Sequence, residues 1–302
     1  MKNHRFSVWG VTGSVTVAKD EALDFAIERL DHWLGEVDAA VNRFIPNSEL
    51  SRLNASHGEA LNYSPTFDLC LTTALAAYEQ TQGACSPTVL PSLLALGYDR
   101  DFYEIESDQA IALSPTQPAL GLDAIVIDRE AKTVRLLDDC QLDFGATAKA
   151  LTCDLIANEV APVSGVVVEI GGDVAVRGEG PDGLWAIGVS DSLQATENDL
   201  RLGLSNAGVA TSSRVIRAWR AGGKPQNHII NPFSGDCANG PYGSASVVAA
   251  SCVEANSFST AALVWGEEAS YYIAQAGLAA RLVRINGTID LVGAWPREGQ
   301  PA

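Results

Sequence analysis

The chain has 302 residues, enough for one large domain or two ordinary ones with a full hydrophobic core. Its formal net charge of −17 repels polyanions, which sets nucleic-acid binding aside. Hydrophobic residues make up 47%, yet no run approaches the roughly 18 uncharged apolar residues of a membrane span, so no membrane insertion is expected.

The amino-terminal stretch MKNHRFSVWGVTGSVTVAKDE alternates in the strand manner over residues 5–17, and Thr12 with Gly13 offers a bulge or a close ligand approach. It lacks the apolar core and cleavage site of a signal peptide, which makes cytoplasm the expected compartment. Leu23, Ala26, Ile27, Leu30, Trp33, Leu34 and Val37 then recur at helical spacing. Pro46 and Asn47 break the chain before Ser48-Glu49-Leu50 restarts it, and a second helix is predicted over 66–80. ACSPTVLPSLLALGYDRD, with two prolines, reads as an irregular, packed loop.

Strands are predicted near Ala124–Asp128, Thr133–Leu137, Val166–Ile170, Val174–Arg177, Trp185–Val189, Leu202–Ser205, Gly208–Thr211 and Ser246–Ala250. A helix over about Ala255–Trp265 follows the last of these. Several neighbouring strands lie close enough for hairpins, which favours α+β with mixed or antiparallel sheets and packed helices. No repeat, low-complexity tract or linker marks a boundary, so a single domain over residues 1–302 is expected. The six cysteines show no metal-ligand spacing and read as buried, reduced residues. Four scattered histidines argue against a histidine-based zinc site.

The stretch 142–173, LDFGATAKALTCDLIANEVAPVSGVVVEIGGD, carries the most chemistry. Two glycine-punctuated turns, each after an apolar strand-like run, flank one amphipathic helix. Glycine lets a bulky anion approach the backbone, and a helix start after Gly145 aims free N–H groups at it. Thr147 can cap that helix, and Lys149 can meet a phosphate. The ordinary alternatives are a plain strand-to-helix turn, and a hairpin turn at Gly171–Gly172.

Further along, GVATSSRVIRAW offers hydroxyls at Thr211 and Ser212, and NHIINPFSG places His228 before a turn. In CVEANSFSTAALVWG, Asn256 and Thr260 are four apart, so their oxygens project from one helix face and can hold a hard cation. Taken separately, a structural histidine, a plain helix start and a capped turn at SELSRLN remain open. GxxxxGK[ST], GxSxG and HExxH are absent, and no GxGxxG opens a helix after a strand, so P-loop, dinucleotide-fold, hydrolase and zincin readings have no support.

In sequence order, NSELSRLN, SPTVLPSLLALGYD, LDFGATAKA, EIGGD, GVATSSRVIRAW with HIINPFSG, and EANSFSTAALVWG resemble the ApbE-like FAD:protein FMN transferase family over nearly the whole chain. The resemblance implies a single flavin-binding domain that takes FAD and, with Mg²⁺, transfers FMN to a Thr or Ser hydroxyl of a target flavoprotein, releasing AMP. It implies metal ligands at the Ala148 carbonyl and at Asn256 and Thr260, with His228 and Thr260 at the chemistry. By the same resemblance, Ser48, Glu49, Thr88, Gly145, Thr147, Lys149, Gly171, Gly172, Asp173, Thr211, Ser212 and His228 line the FAD. The chain departs from the common family pattern at Asn256 and Asn231, where that pattern has Asp, at Ser86, and in GATAKA, which lacks two glycines. An acid at Glu254 stands two residues before Asn256, and it can reach inward if it precedes the helix. The alternatives to the transferase are an FAD diphosphatase giving FMN and AMP, and a non-catalytic FAD-binding protein.

Overall fold

A computed structural model describes residues 1–109, 113–190 and 200–295. In chain order, β1 (Lys2–Val8) and β2 (Val11–Val17) form a hairpin, followed by α1 (Leu23–Val41), α2 (Glu49–Asn54), β3 (Leu61–Asn62) and α3 (Pro65–Gln80). Then come α4 (Leu90–Ala95), β4 (Asp108–Gln109), β5 (Ile125–Asp128), β6 (Thr133–Leu136) and α5 (Ala148–Val160). The strands β7 (Val166–Ile170), β8 (Asp173–Arg177), β9 (Trp185–Val189), β10 (Leu200–Leu204) and β11 (Ala207–Ser213) follow. After β12 (Ala218–Ala221), β13 (Lys224–Asn227) and β14 (Tyr242–Ala249), the chain finishes with α6 (Cys252–Trp265), α7 (Ala269–Gln275), β15 (Ala279–Arg284) and β16 (Ile289–Val292). The class is the expected α+β, and its sheets are antiparallel except for the short parallel pairing of β12 with β4.

The chain divides into two compact units. Unit 1 comprises residues 1–33, 149–216 and 239–302, and unit 2 comprises 34–148 and 217–238. In unit 1, β1, β2, β7, β8, β11, β14, β15 and β16 form an eight-stranded sheet in chain order. The inward residues of β7, β8 and β11 meet Trp185, Ile187, Val189 and Leu202 of the β9–β10 hairpin in one apolar cluster. α6 packs on β8, β11 and β14. It comes very close: a Cβ on Gly208 of β11 would lie 2.2 Å from both Cys252 N and Ser251 C. Glycine at 208 therefore sets the depth at which the N-terminus of α6 seats.

Unit 2 holds the sheets β3-β6-β5 and β13-β12-β4. Its core gathers Leu90, Leu93, Leu96, Tyr98, Trp219, Ala221 and Ile230, with Trp219 Nε1 donating to Leu96 O at 2.9 Å. α2 and α3 begin at Ser48 and Ser64, whose side chains accept from the N–H groups of Ser51 and Phe67, and Pro65 opens α3.

Several expectations change. The irregular loop expected over 84–101 contains α4, because Pro91 sits in its first turn, where a missing N–H costs nothing. The apolar run before Gly145 is not a strand: Asn54 clamps it, exchanging side-chain hydrogen bonds with both Leu142 N–H and Leu142 C=O. α5 is not amphipathic in practice, since Ala150 through Asp154, Ile156, Ala157 and Val160 are all buried. No bulge interrupts β2 at Thr12–Gly13. The pairings there run in register, and a Cβ on Gly13 would meet the Phe6 ring and Glu169 O. All six cysteines are free thiols. Burial pushes those of Cys70 and Cys85 up to about 12, as expected of inert packing residues.

Candidate active site

Strand geometry assembles a polar cluster in unit 1. β8 and β11 pair antiparallel with Asp173 opposite Ala210, so these two residues share a face, and Ser212, two residues on, shares it too. That is the face α6 covers, for Ala210 packs on Ala255. From α6, the Asn256 amide nitrogen donates to Asp173 Oδ1. Ser212 Oγ lies 2.8 Å from Ser259 Oγ and 3.0 Å from Thr260 Oγ1, and Thr260 Oγ1 lies 3.4 Å from Asn256 Oδ1. Lys149, in the first turn of α5, places Nζ 3.4 Å from Asp173 Oδ2.

Five of the residues singled out by sequence, Lys149, Asp173, Ser212, Asn256 and Thr260, therefore meet. The glycine pair just before Asp173 is a two-residue hairpin turn joining β7 to β8, with Ile170 opposite Asp173. Gly171 has φ +63°, as a type II′ turn requires at its first central residue. A Cβ on Gly172 would sit 2.8 Å from Thr211 O, so that position too admits no side chain without movement. Thr211 is not part of the cluster. It alternates to the other face of β11, where its hydroxyl bonds Ser246 Oγ at 2.8 Å.

In unit 2 the sequence-selected residues are mostly engaged with their own loops. The Ser48 hydroxyl donates to Ser51 Oγ and accepts from Ser51 N–H, and Glu49 accepts from Ser64 N–H at 2.8 Å. Thr88 is 2% exposed; its hydroxyl donates to Leu120 O at 2.6 Å while lying 2.9 Å from Ser86 Oγ, so Ser86 is the donor of that pair. The turn at Gly145 is organised by Asp143, which accepts from Gly145 N–H at 2.7 Å and pairs with Arg43 Nε at 2.6 Å. Thr147 and Ala148 direct their N–H groups to Phe144 O, and the Thr147 hydroxyl also faces that carbonyl. His228 places Nδ1 3.4 Å from Arg217 O. A carbonyl accepts only, so the neutral tautomer with Nδ1–H leaves the lone pair on Nε2.

Glu254 does not precede the helix. α6 begins at Cys252, so Glu254 sits in its first turn and completes a variant of the capping box: its N–H bonds Ser251 Oγ, and its carboxylate accepts from the N–H of Ala250, the residue before the N-cap. One oxygen of the acid is thereby engaged in starting the helix. Sequence reasoning missed the group that seats the same helix end. Asp154 of α5 accepts from Cys252 N–H and Val253 N–H at 3.1 and 3.0 Å, and from Arg177 Nη2 at 2.9 Å. A negative charge at a helix N-terminus is favourable. Burial nevertheless raises the Asp154 carboxyl above the usual carboxylate range, against those bonds. An acid amid a run of apolar helix residues was the available signal. Ser259 was also missed, and only the paired serines around Phe258 hint at it.

The donor set fits a hard divalent cation. Asp173 supplies a buried carboxylate whose Oδ2 accepts no hydrogen bond, and Asn256 and Thr260 add amide and hydroxyl oxygens. Among the described residues no group of three or more His, Cys, Asp or Glu forms a metal cage. Mg²⁺ does not need one, because it is commonly held by one or two carboxylates together with water and substrate phosphates.

A sheet carrying one long helix over a buried acid, amide and hydroxyl cluster defines the architecture as α+β, with its candidate site under that helix. Residues 9–282 match the model of the ApbE family, and the chain belongs to that family. An FAD:protein FMN transferase of Haemophilus influenzae is 25% identical over 273 residues, covering 87% of this chain and 78% of that protein. One from Chlamydia trachomatis is 28% identical over 250 residues, covering 80% and 76%. In fold, the chain is similar to the ApbE protein of Thermotoga maritima, with a TM-score of 0.83, 22% identity and 96% of each chain covered. It is also similar to the apo flavinyl transferase ApbE of Pseudomonas stutzeri, with a TM-score of 0.81, 20% identity and coverage of 97% and 95%.

Proposed function

We propose that this chain is an FAD:protein FMN transferase, which takes FAD and joins its FMN portion to a Thr or Ser hydroxyl of a separate flavoprotein. The observation that carries this is similarity to relatives of that name along 80% to 87% of the chain. In the reaction the acceptor oxygen forms a bond to the FMN-side phosphorus, the pyrophosphate P–O bond breaks, and AMP leaves with the bridging oxygen. Negative charge grows on the phosphate oxygens as that bond breaks. A bound Mg²⁺ supplies Lewis-acid neutralisation of that charge. Asn256 and Thr260 are its proposed protein ligands, and the Ala148 carbonyl is a third on the assignment by resemblance.

Lys149 adds a positive charge for a phosphate, and Gly171 and Gly172 keep their proposed place beside the FAD through the tight turn they form. The acceptor hydroxyl must lose its proton, and Nε2 of His228 is the proposed acceptor. Gly145 and Thr147 keep their proposed place along the FAD through their turn. Ser48, Glu49 and Thr88 keep their proposed place along the FAD through loops that their own side-chain hydrogen bonds hold. Residues 1–302 act as one domain in this reading. The free thiols support a cytoplasmic setting.

The test is incubation with FAD, Mg²⁺ and candidate flavoproteins. The expected outcome is AMP release matched by covalent flavin on the acceptor. Free FMN formed at the same rate without acceptor marks a diphosphatase, and FAD retention with no AMP rejects both enzymatic readings. Thr260→Ala is expected to lower AMP release by about tenfold to 100-fold.

A further inference from the structure

Asp173 is 2% exposed and starts β8 facing α6. Its two oxygens are treated unequally. Oδ1 receives the Asn256 amide, whereas Oδ2 is buried without a hydrogen bond, with Lys149 Nζ at 3.4 Å as its ionic neighbour. A buried carboxylate oxygen left unspent is costly and calls for a reason. Asp154, also buried and in the same unit, shows the ordinary solution: both of its oxygens are bonded.

The orientation of Asn256 follows from the same contact. A carboxylate attracts the amide NH₂ and repels the amide oxygen, so the nitrogen faces Asp173 and the oxygen turns to the Thr260 hydroxyl. The charge in this cluster thus resides on Asp173, and the amide nitrogen beside it is spent in holding that carboxylate.

We propose that Asp173 is the anionic ligand of the divalent cation, and that the Asn256 amide nitrogen, while the amide oxygen keeps the ligand role proposed above, holds the carboxylate so that Oδ2 is left to the cation. The proposal rests on the transferase reading only for the presence of a cation. In the chain without metal, the Lys149 ammonium neutralises Asp173; when a cation takes that role, Lys149 becomes available to a phosphate. A neutral residue at 256 is then no loss of charge, because the charge stands on the neighbouring strand.

Mn²⁺ binding to the full chain, followed by electron paramagnetic resonance with and without FAD, tests this. Asp173→Asn is expected to weaken Mn²⁺ binding by about tenfold or more, Asn256→Ala by only about twofold to fivefold, and Lys149→Met to strengthen binding in the absence of FAD by about threefold or more. Circular dichroism and thermal melting check that each variant is folded. Unchanged Mn²⁺ affinity in Asp173→Asn overturns the proposal. So does unchanged or weaker affinity in Lys149→Met, which decides the matter should Asp173→Asn fail to fold. A parent chain that takes no Mn²⁺ with or without FAD overturns it as well. AMP release is scored separately. Loss of Mn²⁺ in Asp173→Asn without any AMP from the parent leaves the metal ligand standing and removes the transferase, and the converse pattern does the reverse.

Discussion

The loops around Ser48 and Thr88 in unit 2 and the Asp173 cluster in unit 1 were both picked out by sequence, and both are rich in buried oxygens. They differ in what those oxygens do. In unit 2 these four hydroxyls each have a protein destination: Ser48 to Ser51, Ser51 to Arg43 O, Ser86 to Thr88 and Thr88 to Leu120 O. In unit 1 the chain of contacts from Ser212 through Thr260 and Asn256 ends on a carboxylate with one oxygen unspent. A closed network holds a loop in one shape, while an open one keeps bonding capacity for something that arrives later.

The largest effect is expected where a closed network carries charge. Asp154→Ala removes the acceptor for two N–H groups of α6 and strands Arg177, and should cost about 3–5 kcal/mol in urea unfolding. A loss under about 1 kcal/mol would show that α6 seats without it. Asp173→Asn is the counterpart in the open network. It should change unfolding stability by no more than about 1 kcal/mol, because it removes a poorly satisfied buried charge, while FAD cleavage falls by about 100-fold. Equal losses of stability in the two variants would erase the distinction between the two aspartates.

What was legible in the sequence tracks how local each signal is. The β9 limits and the α1 stripe of Ala26, Leu30 and Val37 follow from side-chain period, and the β7 limits from a short apolar run. The meeting of Asn256 with Thr260 was legible for the same reason, because both lie on one helix face. The Asp173–Asn256 bond was not, since it joins residues 83 positions apart through a strand pairing that no local pattern encodes. Glu254 misled because a helix start placed at Ala255 leaves it outside, while the capping box at Ser251 starts the helix three residues earlier. β12 and β13 went unseen because Ala218–Ala221 carries Trp219 as its one strand-favouring side chain, and Pro225 argues against a strand in Lys224–Asn227.

A smaller effect tests the closed side. Thr88→Val keeps shape but leaves Leu120 O without its donor and Ser86 without its acceptor, so stability should fall by about 1–2 kcal/mol. The KM for FAD should stay within about twofold of the parent value. A large rise in KM with unchanged stability would move Thr88 from the loop framework to the ligand.

The smallest effect is expected at Asn231, where the common family pattern carries an acid. The residue shapes the turn after His228. Its side-chain oxygen accepts from Phe233 N–H at 3.0 Å, its N–H donates to Asp236 O, and its carbonyl accepts from Ser234 and Gly235 N–H. An aspartate can accept the Phe233 bond equally well, since only the oxygen is used. The negative charge it would add lies close to Asp236, which offsets the slightly stronger bond a carboxylate makes. Asn231→Asp should therefore move stability by less than about 0.5 kcal/mol in urea unfolding and leave AMP release near the parent rate. A gain in activity would mean that the acid serves the chemistry and that its absence here is a genuine loss. A null result would place the tolerated change in a turn whose hydrogen bonds close on themselves, as at Ser48 and Thr88.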